Sequence, residues 1–93
     1  MRTRAKVDAN QKIIVEQLRR CGFSVLHLHT LGKGAPDIVV GTKGKNYLFE
    51  IKDGDKPKSK QKLTPDEEKF HQSWRGQVAI VTTADDIFET INQ

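Results

Sequence analysis

The sequence predicts an α/β domain with a mixed central sheet flanked by helices. Three observations carry this: apolar residues at helical spacing near both ends and again in the middle, short runs of strand formers between them, and an order of helix, three strands, helix, strand, helix. The 93 residues suffice for one domain, 1–93, with one core and no need of disulfide staples.

The first helix is expected from Asp8 to Cys21, with Ile14, Leu18 and Cys21 on its apolar side, Ile13 beside them and Gly22 as terminator. Cys21, the one cysteine, is expected in the core at the helix end. Phe23 to His29 alternates and reads as an edge or second strand. Asp37 to Gly41 and Asn46 to Lys52 read as a hairpin around a glycine- and lysine-rich turn. Asp53 to Lys62 has no apolar residue and reads as a mobile surface loop. Thr64-Pro65-Asp66-Glu67 is a capping box with proline at the first helical position, opening a helix that runs through Phe70 and Trp74, both placed in the core, to Gly76. Val78 to Val81 is continuously apolar, as in a central strand covered on both faces. A last helix from Asp85 to Asn92 is expected to bury Ile87, Phe88 and Ile91.

Sixteen Lys and Arg against twelve Asp and Glu leave a net charge of +4. A polyanion, nucleic acid before an acidic membrane surface, is therefore the natural partner of an exposed face. No segment approaches the ~20 apolar residues of a membrane span, and the basic N-terminus lacks the apolar stretch of a signal peptide, so a cytoplasmic protein is expected. A lone cysteine fits a reducing compartment. His27, His29 and His71 have no spacing that suggests zinc.

The hairpin carries the chemistry. With a four-residue loop from Thr42 to Lys45, Gly41 pairs with Asn46 and Asp37 falls opposite Glu50. Opposed side chains have Cβ atoms about 4.5–5.5 Å apart, where two carboxylates repel unless a proton or cation lies between them. Alternation puts Lys52 on the same face as Glu50. A one-residue slip would turn Asp37 away.

Gly34-Ala35-Pro36-Asp37 followed by Glu50-Ile51-Lys52, within this element order, resembles the PD-(D/E)XK nuclease superfamily. Asp8-Ala9-Asn10-Gln11, the glycine-framed Gly32 to Asp37, and the stretches Leu63 to Glu67 and Trp74 to Gln77 are similar to the VRR-NUC family. The likeness is greatest to its minimal stand-alone members from bacteriophages and bacteria. It implies a restriction-endonuclease-like αβββαβ(α) core and a Mg2+- or Mn2+-dependent DNA endonuclease of repair and recombination. It also implies action on branched DNA such as four-way (Holliday) junctions, as a homodimer. Asp37 and Glu50 would then be metal ligands with the Ile51 carbonyl, and Lys52 the catalytic lysine. Many relatives carry a glutamate early in the first helix, where this chain has Asn10-Gln11, and a glutamine in the helix after Glu-x-Lys, where it has Glu67. The number of metals stays open.

Gln11 is a candidate to reach the metal through water, and Asn10 to cap its helix. Glu67 is both a capping residue and a candidate for the site. Lys56, Lys58, Lys60 and Lys62, with Lys33 in its Gly-Lys-Gly turn, are candidates for DNA phosphates. The alternatives are a nuclease fold that binds DNA without cutting and a small RNA-binding protein.

Overall fold

The computed structural model describes residues 9–93. Asp8, expected to open the first helix, lies outside them. Helix α1 spans Ala9–Arg20, strand β1 Ser24–His27, β2 Ile38–Thr42, β3 Lys45–Ile51, helix α2 Pro65–Ser73, strand β4 Ala79–Val81 and helix α3 Ala84–Ile91. The order along the sheet is β1-β2-β3-β4, antiparallel except for the parallel β3–β4 pair. This is a mixed sheet in an α/β fold, as expected.

Each boundary has a local cause. Gly22, at φ +90°, ends α1, with Phe23 N–H donating to the Leu18 carbonyl and Gly22 N–H to that of Arg19, the Schellman pattern. Lys43 and Gly44, both at positive φ, make a two-residue hairpin turn of the type that matches strand twist. The loop is thus shorter than expected, since Thr42 and Lys45 still pair, but the register of Gly41 with Asn46 is the expected one. Thr64 caps α2 and Glu67 completes the reciprocal box. Thr83 and Asp86 do the same for α3, and the Asp86 carboxylate also accepts from Thr82.

One face of the sheet holds the core. Ile14, Val15 and Leu18 of α1 and Ile87 of α3 close over Val25, Ile38, Val40, Phe49, Ile51 and Val81. Fully burying a side chain such as Ile14, Leu18 or Phe49 contributes about 1.5–3 kcal/mol. The opposite face carries Leu48, which lines a groove together with Phe70 and Trp74 of the α2 region.

The structure corrects four further expectations. Cys21 is exposed, because the helix stops one residue short of it and its Schellman turn swings outward. Strand β1 covers only Ser24–His27, and His29–Leu31 forms a 3-10 turn. Trp74 is 45% exposed and caps α2 instead of continuing it, and α2 buries no residue fully. Strand β4 is an edge strand with Ile80 half exposed: nothing pairs beyond it among the described residues. The loop from Asp53 to Lys62 is a surface loop as expected, exposed throughout 54–60, with a 3-10 turn at Lys58–Lys60. Among the described residues no helix is long and apolar enough to cross a membrane.

Candidate active site

Asp37 sits one residue before β2, where the ladder is irregular. Its N–H donates to the Phe49 carbonyl although Ile38 is the register partner of Phe49, so two residues address one. That is the geometry of a bulge, which re-aims a side chain. The Asp37 carboxylate reaches past Glu50 and accepts from the Ile51 N–H at 2.7 Å. In an extended strand a residue's carbonyl points to the same side as its N–H, so the Ile51 carbonyl also faces Asp37.

Glu50 is 2% exposed, and its Oε1 has no hydrogen-bond partner. Its other oxygen lies 3.7 Å from Lys52 Nζ. Burial, followed by the Asp37 charge, pushes the Glu50 carboxyl up to about 9. Burial likewise raises Asp37 against the pull of the Ile51 N–H. The two carboxyls lie close enough to share a proton. A buried acid with an orphaned oxygen beside a half-buried one needs either that proton or a cation.

Lys52 Nζ is held 2.9 Å from Glu67 Oε1. Burial alone would lower the amine, but the carboxylates of Glu67, Glu50 and Asp37 outweigh it and hold it above its usual value. Burial would raise Glu67, but the Thr64 N–H and the Lys52 ammonium bring it below the usual carboxylate range. Glu67 therefore both caps α2 and fixes the lysine. Gly34 makes this possible. It sits at φ +79° against the start of α2, where a Cβ would overlap the Asp66 carbonyl.

Asp37, Glu50, Lys52 and Glu67 are thus brought together. Gln11 is buried, but its Nε2 lies 3.0 Å from His27 Nδ1, so its amide is engaged with β1. Only an unprotonated Nδ1 accepts from an amide N–H. Consistently, burial, followed by the His29 and Arg19 charges, lowers His27. Asn10 does not cap its helix: its amide donates to the Lys52 and Thr82 carbonyls, tying α1 to the strand ends beside the site. Lys33, Lys56, Lys58, Lys60 and Lys62 are all exposed.

The donor set fits a hard divalent cation: two carboxylates and a main-chain carbonyl, all oxygen, with an orphaned buried atom among them. Among the described residues no group of three or more His, Cys, Asp or Glu side chains is arranged for a metal. The side chains would thus supply two ligands and leave the rest to carbonyl, water and substrate oxygens. Sequence reasoning missed the service of Asn10 to the Lys52 carbonyl and the exposed ring of Trp74. No local pattern marks the first, and a helical apolar position disguised the second. No family model, curated protein or solved structure matches this chain.

Proposed function

We propose that this chain is a restriction-endonuclease-like, Mg2+- or Mn2+-dependent DNA endonuclease of the VRR-NUC type. Its substrate would be branched DNA such as a four-way junction. A homodimer would suit a junction that offers two equivalent cuts. The carrying observation is the buried Glu50 Oε1 without a donor, beside the Asp37 carboxyl. The neighbouring ammonium does not satisfy it, because Lys52 Nζ is 2.9 Å from Glu67 and 3.7 Å from Glu50.

Asp37, Glu50 and the Ile51 carbonyl would hold the ion. When bound, it would make a water nucleophilic at neutral pH and neutralise charge on the phosphate. Lys52, kept protonated by its carboxylate neighbours, is poised to orient the attacking water or to meet charge building on the phosphate oxygens. Glu67 sets where that ammonium stands. The exposed lysines at 56, 58, 60 and 62 would hold the backbone without reading sequence.

A binding module that does not cut is the second reading. Gln11, where many VRR-NUC members have a glutamate, is neutral and engaged with His27. One experiment separates the two: labelled junction, flap and linear duplex incubated with Mg2+, with Mn2+ and with chelator. The nuclease predicts metal-dependent products, most from the junction, and a loss of at least ~100-fold in Asp37→Asn and Lys52→Ala at retained DNA affinity. Shifted bands with no product under any ion would leave a binder.

A further inference from the structure

The sheet face that carries Glu50 and Lys52 continues the other way into an apolar groove of about 450 Å3. Leu48 lies on its floor, two residues before Glu50 on the same side of β3, and Pro36 adjoins Asp37. Leu28, Leu31, Phe70 and Trp74 line it as well. Leu31 is 68% exposed.

The exposed Trp74 ring is held in place. It stacks on Phe70 at 4.9 Å between centroids and 16° between planes. Gly76 lets it lie close, since a Cβ there would stand 2.9 Å from its Nε1. An aromatic face kept rigid without being buried loses little freedom when a second ring covers it.

What would cover it follows from the surroundings. The Gln77 amide bonds both the N–H and the carbonyl of Leu48, at 2.6 and 3.0 Å. That closes this stretch of β3 to an added strand. Among the described residues no acid lines the groove, and of the exposed charged residues within two positions of a lining residue Lys33, Lys45, Lys69 and Arg75 are cationic and Glu68 alone is acidic. A slot with an aromatic lining and a mostly cationic rim suits a flat ring on a phosphate chain. A second copy of the chain needs about 800 Å2 per partner, far more than a slot between one strand and one short helix provides.

We infer that this groove takes an unpaired base of the DNA substrate, stacked on Trp74, while its strand runs toward Asp37 and Glu50. The inference rests on the nuclease reading and names what that site would select: DNA with an extruded or unpaired nucleotide next to the cut, as at the centre of a branch.

Trp74 is the sole tryptophan, so its emission reports the contact directly. The test titrates full-length protein, in chelator so that nothing is cut, with a junction, a duplex bearing one unpaired nucleotide, and a fully paired hairpin of equal charge. Expected are quenching and tighter binding with the first two over the paired hairpin. Trp74→Ala should weaken binding to the unpaired substrates by about 5- to 150-fold, the range for losing one stacked base, with the salt slope unchanged. Trp74→Phe should recover much of that, and Leu31→Ser, at an exposed turn, should repeat the loss if the alanine variant folds poorly by circular dichroism. Equal binding by Trp74→Ala, equal quenching by the paired hairpin, or emission that follows protein concentration without DNA would overturn the inference; the last outcome would assign the groove to a second copy. Because no cleavage is read, a protein that stacks a base but never cuts would sink only the nuclease reading.

Discussion

Glu50 concentrates the electrostatic tension of the molecule in one side chain. Its folded carboxyl holds a proton up to about pH 9, whereas an unfolded one releases it near 4.5. The folded state therefore binds the extra proton between those values. This stabilising contribution is whole below about 4.5 and is lost as pH rises toward 9. In chelator, the wild type should lose thermal stability across that window relative to Glu50→Gln, which removes the charge and keeps the shape. At pH 8 the variant should be the more stable by on the order of 1–3 kcal/mol. Adding Mg2+ should raise the melting temperature of the wild type only. Parallel melting curves for the two proteins from pH 5 to 9 would mean that Glu50 is not an unpartnered buried acid. Strand alternation made Glu50 and Lys52 legible as a pair and the hairpin register put Asp37 near them, whereas the bulge that aims Asp37 at the Ile51 N–H was not legible. Gln11 and Asn10 were not legible, because the partners of a buried amide come from remote segments, here His27, Lys52 and Thr82.

At the scale of elements, the site depends on how closely α2 approaches the loop before Asp37. Gly34 meets the Asp66 carbonyl where Gly32, also at positive φ, meets nothing. Gly32→Ala should therefore cost only backbone strain, about 1–3 kcal/mol, since φ +74° with ψ −171° is a conformation nearly confined to glycine. Gly34→Ala should add a clash that pushes α2 away and should cost about 1–3 kcal/mol more than Gly32→Ala. In a domain of this size that is a further drop of roughly 4–8 °C in Tm per kcal/mol. If cleavage occurs, Gly34→Ala should also impair it, since Glu67 would no longer hold Lys52. Equal melting temperatures for the two variants would show that the contact carries no weight. The caps at Thr64 and Gly22 could be read from sequence because capping is local chemistry. The edge position of β4 could not: a continuous apolar run implies burial on both faces, and only strand order reveals that the sheet ends there, with Ile80 half exposed.

For the whole molecule, charge is divided by place. The acids of the site are buried or half buried, while Lys56, Lys58, Lys60 and Lys62 are exposed in one loop. If that loop holds DNA phosphates, Lys58→Ala with Lys60→Ala should weaken binding alike for all sequences. The double variant should reduce the slope of log affinity against log salt by about 2, close to one per contact. An unchanged slope would reduce the loop to a solubilising segment. This variant and Trp74→Ala should differ in kind, the first through salt and the second through base pairing.

By itself the sequence determined the element order, the mixed sheet, the hairpin register and the acid, acid and lysine set, because periodicity, turn chemistry and capping act over a few residues. Only the tertiary structure decided which side chains are left unsatisfied or uncovered. Glu50 Oε1 lost its donors, Gln11 turned to His27, and Trp74 stayed exposed across a groove, because each outcome depends on what remote segments bring to the same place.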